Sequence, residues 1–261
     1  MKIHPIILSL LFLPFLITCS QNDTVGPKPL ENIGEQVFGS IDMQDQTHIN
    51  VKNDSGGVYI YGYWNQDIIE TMLYRTVSAE SKTAAQERLL DVQLQHSRSE
   101  ETIDIFATIN THPGRLRYSS WYNLELDNKL VLNIQDIPDD ITVFDMDTTL
   151  MVTDAGHNVS IVRHMGSAQV NTFDGDIYME IILPDSGYCR GETGDGDIVV
   201  RVPIETSARI FLKSHQGLVA AKNLEVKDEV ANPGSLEGIL DLGEGEIVLE
   251  TTRGSIILYG F

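Results

Sequence analysis

Thr172-Phe-Asp-Gly175-Asp-Ile177 returns as Thr193-Gly-Asp-Gly196-Asp-Ile198 and again as Ser214-His-Gln-Gly217-Leu-Val219. The copies start 21 residues apart, and a fourth, Thr251-Thr-Arg-Gly254-Ser-Ile256, lies near the C-terminus. A fixed period of about 20 residues, with a turn glycine and a following β-branched residue, predicts short strands stacked as the coils of a β-solenoid. Glycine permits the positive φ of a tight corner. The Thr or Ser hydroxyl can bond local backbone as the chain turns. The aliphatic residue two places on points inward. Stacking in chain order predicts a core ladder of Ile177, Ile198 and Val219 with Ile256 next, and makes residues 254–259 an apolar cap.

The same stacking sets Asp174 over Asp195 and Asp176 over Asp197. Carboxylates about 5 Å apart repel by about 1 kcal/mol in water. Two arrangements relieve this. Each Asp can stay in solvent and accept turn N–H bonds, or a Ca2+ ion can draw oxygens from several turns. The nine-residue spacing of a Gly-Gly-x-Gly-x-Asp calcium array is absent.

Outward from the repeat, strand patterns dominate. Asn53-Asp-Ser-Gly56-Gly-Val58 has the same turn form with Asn in the Thr position, and alternation marks strands on both sides of it. Short strands recur from residue 122 to 183. Two degenerate copies fall among them: Asp147-Thr148-Thr149-Leu150 lacks the Gly, and in Thr153-Asp-Ala-Gly156 the aliphatic Val159 comes one place late. Gly217 and Gly254 are 37 residues apart, one period plus 16, which predicts an insertion around residues 222–237 with a loop at Pro233-Gly234. Residues 81–91 predict one helix, capped by Ser81, with Ala84, Ala85, Leu89 and Leu90 on its apolar face. Laid on a sheet, it covers an open edge. The fold class is therefore all-β, a solenoid with one capping helix.

The N-terminus reads as an address. Lys2 precedes an apolar run, Ile6 to Ile17, too short to span a bilayer and suited to a secretory leader. Leu16-Ile17-Thr18-Cys19 resembles the bacterial lipoprotein box, in which the Cys is acylated and becomes the mature N-terminus; Thr18 departs from the small residues usual there. This divides the chain into a signal peptide at 1–18, a lipidated Cys19 with a flexible tether at 19–40, and one domain at 41–261. Several acyl chains hold a protein stably at a membrane. Cys189 is then alone, without a disulfide partner, and reads as a small buried residue. With 38 acidic against 18 basic residues, the formal charge is −20, which argues against nucleic acid and anionic headgroups as partners.

Sites of chemistry are sparse. No Gly-x-Ser-x-Gly elbow, His-Glu-x-x-His, Walker loop or dinucleotide fingerprint occurs. Asp145, Asp147 and Asp154 with Arg163 and His164 make a candidate carboxylate cluster of the kind polysaccharide-cleaving β-helices use. His157, His164 and His215 lack metal-ligand spacing. Tyr59, Tyr61, Tyr63 and Trp64, with Trp121 and Tyr122 farther on, form an aromatic stretch. One strand face carries the three tyrosines, partly under the helix; exposed, such rings stack on sugars or on a partner's side chains.

Gly57-Val-Tyr-Ile-Tyr-Gly-Tyr-Trp64, the Ala/Leu helix, Pro138 before the coils, the Thr-x-x-Gly-x-Ile repeats and Leu242-Gly-Glu-Gly245 onward to Ile256 together resemble the DUF4097 family, adhesin-like domains of bacterial envelopes. The resemblance covers residues 45 to 260. It implies a right-handed β-solenoid and no catalytic residues. The expected function is a lipid-anchored, non-enzymatic binding or scaffold module of the envelope, facing a protein or glycan partner. Ser20 after the lipidated Cys favours an outer membrane in a cell with two membranes. A carbohydrate-active enzyme and an envelope-stress regulator are the alternatives.

Overall fold

The computed structural model describes residues 29–112 and 116–261. The leader, Cys19 and the first part of the tether lie outside the described residues. The chain begins with β1 (Glu31–Asp42), β2 (His48–Asn53), β3 (Val58–Tyr63) and β4 (Ile68–Ala79), followed by helix α1 (Lys82–Arg88), β5 (Val92–Arg98), β6 (Thr102–Ile109) and β7 (Arg117–Asp127). The middle holds β8 (Val131–Ile137), β9 (Ile141–Phe144), β10 (Leu150–Ala155), β11 (Val159–Met165), β12 (Ala168–Asp174), β13 (Ile177–Ile182), β14 (Tyr188–Asp195) and β15 (Ile198–Val202). The last part holds β16 (Ala208–Ser214), β17 (Val219–Lys222), β18 (Val226–Asn232), β19 (Ser235–Leu240), β20 (Gly245–Arg253) and β21 (Ile256–Gly260).

These strands build two sheets. The first runs β1-β4-β7-β3-β9-β11-β13-β15-β21-β17, and the second runs β18-β19-β16-β20-β14-β12-β10-β8-β2-β6-β5. Each coil is one strand of the second sheet followed by one of the first. Neighbouring coils pair in parallel, and their inner faces share one continuous core. The coils do not stack in chain order. The coil β2–β3 lies between β6–β7 and β8–β9, and the coil β20–β21 lies between β14–β15 and β16–β17. The expected ladder is corrected accordingly: Ile256 pairs with Ile198 on one side and Val219 on the other. Residues 254–259 are thus an inner layer rather than a cap.

The core ladder in the first sheet runs Val58, Ile141, Val159, Ile177, Ile198 and Ile256, all fully or almost fully buried. In the second sheet Leu150, Ala168, Cys189 and Ile247 are in register. Cys189 is wholly buried there, as its sequence setting suggests, and burial pushes its thiol up to about 12. Val159 joins the ladder despite its late position because a register shift after Val152, with Asp154 at φ 55°, absorbs the extra residue. Leu150 is no copy of the motif. It starts a strand of the second sheet, at the opposite corner from Gly175.

The repeat residues work between coils. Thr193 Oγ1 donates to the Gly175 carbonyl at 2.9 Å, Thr251 Oγ1 to Gly196 at 2.9 Å and Ser214 Oγ to Gly254 at 2.6 Å. Each hydroxyl fastens its coil to the glycine of the neighbouring one. The glycines are needed for close approach: a Cβ on Gly196 would stand 2.1 Å from the Gly175 carbonyl oxygen.

Further antiparallel strands finish both ends. At one end β1 and β4 extend the first sheet beyond β7, and β5 extends the second beyond β6. At the other, the expected insertion is a hairpin, β18–β19, turning at Pro233-Gly234 and pairing with β16. Residues 31–40, read from sequence as tether, form most of β1. Ser81 caps α1 by accepting the Ala84 N–H at 3.2 Å. Ala85 and Leu89 pack into a small second core with Val77 and Val92, but Leu90 faces solvent at 66% exposure. The helix gives way to a 3-10 turn at Leu89–Asp91, which rotates Leu90 off the apolar face.

Candidate functional site

The aspartates of the repeat form two rows at one corner. Asp174 is in register with Asp195, and the row continues to Arg253, whose Nη2 lies 2.7 Å from the Asp195 carboxylate. In the second row each side chain serves the next coil. Asn158 Oδ1 accepts the Asp176 N–H at 2.9 Å, Asp176 Oδ1 the Asp197 N–H at 2.8 Å, and Asp197 Oδ1 the Ser255 N–H at 2.6 Å. Among the described residues no group of three or more His, Cys, Asp or Glu side chains is placed to hold a metal ion. Asn158 already fills this role with an amide, so Asp197→Asn should leave stability within about 0.5 kcal/mol, whereas Asp197→Ala should cost about 1 kcal/mol. Thermal unfolding measures both. Millimolar Ca2+ should not raise the Tm; a rise that Asp176→Asn and Asp197→Asn abolish would make this row a cation site.

The carboxylate cluster expected from sequence does not assemble. Asp147 precedes β10 and Asp154 stands near its other end, several residues away at about 3.3 Å each. Arg163 and His164 take opposite faces of β11. A register shift between Ile161 and His164, with Arg163 at φ 52°, inserts one residue and turns Arg163 outward and His164 inward. Arg163 grips Asp145 with two contacts of 2.6 Å, and the pair raises the guanidinium further above its ordinary value.

His164 is fully buried, with Nε2 3.3 Å from the Ser167 carbonyl. Burial lowers its pKa, outweighing the carbonyls of Ser167 and Met146 and the charge of Asp147, which favour the proton. The unfolded chain therefore binds this proton more readily than the native one. Stability contributed by neutral His164 is complete above the unfolded value of about 6.5 and falls as pH drops below it toward the lower folded value. The Tm should fall from pH 7.5 to 5.5, and less steeply in His164→Phe. Equal slopes would exclude His164 as the source.

The side chains that do converge lie on the outer face of the first sheet. Inward Val58, Ile60 and Gly62 leave Tyr59, Tyr61 and Tyr63 outward on β3. The tyrosines share a face, as expected, but it is the open face of the sheet and not the one beneath α1. Tyr59 lies against Trp121 at 5.6 Å between ring centres, and Tyr61 stacks on Phe144 at 5.0 Å and 9°. The Arg163 guanidinium sits 5.9 Å from the Phe144 ring. Farther along, Arg201 pairs with Glu180 at 2.6 Å and lies 4.9 Å from the Phe261 ring. Trp64, 68% exposed, is covered by the Lys129 ammonium at 4.0 Å.

At the β1 end of this face, Glu70 stands directly opposite Glu125, which is in register with Tyr61. Burial raises the Glu125 carboxyl, and Glu70 adds to it. The phenols of Tyr61 and Tyr63 are raised by burial first and by neighbouring charges second. The result is a sheet surface of stacked rings, guanidinium–carboxylate pairs and one acidic end. Such a surface supports stacking and ion pairing with a ligand. The outer face of the second sheet differs in having no ring–ring pair among the described residues: Asn133 Nδ2 donates to Asn50 and Asn50 Nδ2 to Asp104 in a polar ladder, and Arg190 pairs with Glu246 at 2.7 Å beside the Tyr188 ring.

Sequence reasoning missed Phe144, Glu180 and Arg201 as members of this surface. They sit three residues beyond Ile141, Ile177 and Ile198, one fixed step along the repeat, so the signal lay in the register.

No protein-family model and no curated protein matches the sequence. Among crystal structures, the chain is similar to a proposed cell adhesion protein from Clostridium sporogenes, with 10% identity, 88% of this chain and 100% of that chain covered, and a TM-score of 0.48. It is also similar to a proposed adhesin from Bacteroides fragilis, with 11% identity, 86% and 97% coverage, and a TM-score of 0.40.

Proposed function

We propose that this chain is a non-enzymatic, adhesin-like binding module of the cell envelope, held by lipid on Cys19, whose outer face on the first sheet is its contact surface. The observation that carries the reading is that both ring–ring pairs among the described residues, Tyr59–Trp121 and Tyr61–Phe144, lie on that one face. The dispersal of Asp145, Asp147, Asp154 and His164 speaks for binding rather than catalysis. The leader and the Leu-Ile-Thr-Cys19 box support the anchor, and the resemblance to DUF4097 proteins supports the right-handed coil and the envelope location. With Ser20 following Cys19, an outer membrane is the expected site in a cell that has one.

The test is retention of the chain carrying Cys19→Ser, which takes no lipid, on envelope fragments from the producing cell. Tyr61→Ser combined with Phe144→Ser should weaken retention by at least about tenfold, on the scale of lost stacking contacts. Asn133→Ser on the polar face should not change it. Equal retention by both variants would reject this face as the contact surface.

A further inference from the structure

A sheet has two edges, and here three of the four are blunted. Strand β17 has only four residues. Strand β18 carries Lys227, Asp228 and Glu229 and a break in register between Lys227 and Val230. Strand β5 ends in His96 and Arg98, and Arg98 donates to the Asp42 carbonyl. Among the described residues, strand β1 has neither a break in register nor a basic side chain, and its charges, Glu31, Glu35 and Asp42, are all acidic. Its 12 residues pair with β4 in unbroken register from Glu31↔Ala79 to Asp42↔Ile68, without Pro, Lys or Arg. Long unprotected edges are templates for another strand.

Beside this edge lies a groove of about 520 Å³, walled by Phe38, Ser40, Glu70, Met72, Asn123 and Glu125. Phe38 is 72% exposed. Glu70 and Glu125 face each other across the β4–β7 pair, and among the described residues neither has an ion-pair partner. Like charges directly opposite in an antiparallel pair are destabilising, so a cation brought into the groove relieves a repulsion already present. A strand added to β1 lies about 10 Å from β4, a span that an Arg or Lys side chain and the Glu70 side chain cover together. On its way such a side chain passes the ring of Phe38, which favours a cation. A second copy is the wrong occupant: it brings the same carboxylates and a further charge of −20.

We infer that the β1 edge accepts a basic, extended segment of a partner protein, which pairs with it main chain to main chain and brings Lys or Arg side chains to Glu70, relieving its repulsion with Glu125. This deepens the contact-surface reading and rests on it. The test is calorimetric titration of the full chain with a capped ten-residue peptide of alternating Lys and Val. Saturable one-to-one binding is expected. Glu70→Gln with Glu125→Gln should weaken it at least about tenfold through lost charge-assisted contacts, and N-methylation of the peptide backbone at each Val should do the same by removing donors to the edge. Undiminished binding by the methylated peptide, undiminished binding by the double variant, or equal binding of an alternating Glu and Val peptide would overturn the inference. So would a dimer of the chain that Phe38→Glu dissociates, since the edge would then belong to a second copy. Envelope retention with no peptide binding rejects the β1 site and leaves the outer face standing. Peptide binding without envelope retention keeps the β1 site and removes the envelope reading.

Discussion

A chain ending at Asp241 should fail to fold. The truncation removes β20 and β21, and with them Ile247, Leu249, Ile256 and Leu258, each 0% exposed. Burying one such side chain contributes about 1.5 to 3 kcal/mol, so four contribute about 6 to 12 kcal/mol. That matches the whole stability of an ordinary domain, about 5 to 15 kcal/mol. The location makes the loss worse. In a stack built in chain order, the last coil is an end layer, and trimming it shortens the core by one rung. Here the missing layer is internal, and β16–β17 loses its neighbour in both sheets. Circular dichroism should show no cooperative thermal transition. A truncated chain that melts cooperatively within a few degrees of the parent would mean that β16–β17 stacks on β14–β15 without the layer between them.

The second large effect is expected at Gly254. Its φ is 138°, and a Cβ there would stand 2.0 Å from the Gly196 carbonyl oxygen. That oxygen belongs to backbone and already accepts the Thr251 hydroxyl at 2.9 Å, so it cannot retreat without breaking the strap between coils. Gly254→Val combines left-handed strain of about 1 to 3 kcal/mol with overpacking of about 1 to 3 kcal/mol. A loss of about 3 kcal/mol or more is expected in denaturant unfolding. Gly191 is the control. A Cβ there meets only side chains, Leu249 Cδ2 at 3.1 Å and Met179 Cε at 3.3 Å, and φ is not positive. Gly191→Ala should stay within about 1 kcal/mol of the parent. Equal losses at the two sites would show that glycine at Gly254 is not held by close approach.

The sequence reveals most of this fold because the repeat chemistry is local to each corner. Thr193 and Gly196 meet the equivalent residues of the next coil wherever that coil comes from, so the period alone predicts the stack. It does not predict the order, since Ile256 and Val219 are almost interchangeable beside Ile198. One clue was present: Arg253 stands in the slot that Asp174 and Asp195 occupy in their copies, and placing it next to Asp195 turns repulsion into an ion pair. Strand β1 was hidden for another reason. Glu31-Asn-Ile-Gly-Glu-Gln-Val-Phe-Gly-Ser has little strand propensity, and its conformation comes from pairing with β4. The contact surface was half legible. The tyrosines of β3 alternate visibly, but Phe144 and Arg201 join them only once the coil register is known. The bulge that turns His164 inward has no sequence signal beyond a break in alternation.

The outer face is one surface because β20–β21 is interleaved, which brings Arg201 beside Tyr259. Cysteine pairing tests this most directly, in a Cys19→Ser background with Cys189 left buried. Val199 and Ile257 are outward partners on adjacent strands. Val199 and Ala220 are two strands apart, about 10 Å, beyond the reach of about 7 Å between Cα atoms that a disulfide allows. Val199→Cys with Ile257→Cys should oxidise to a disulfide in the folded chain, and Val199→Cys with Ala220→Cys should remain reduced. The reverse pattern would show coils stacked in chain order and would contradict the interleaved surface.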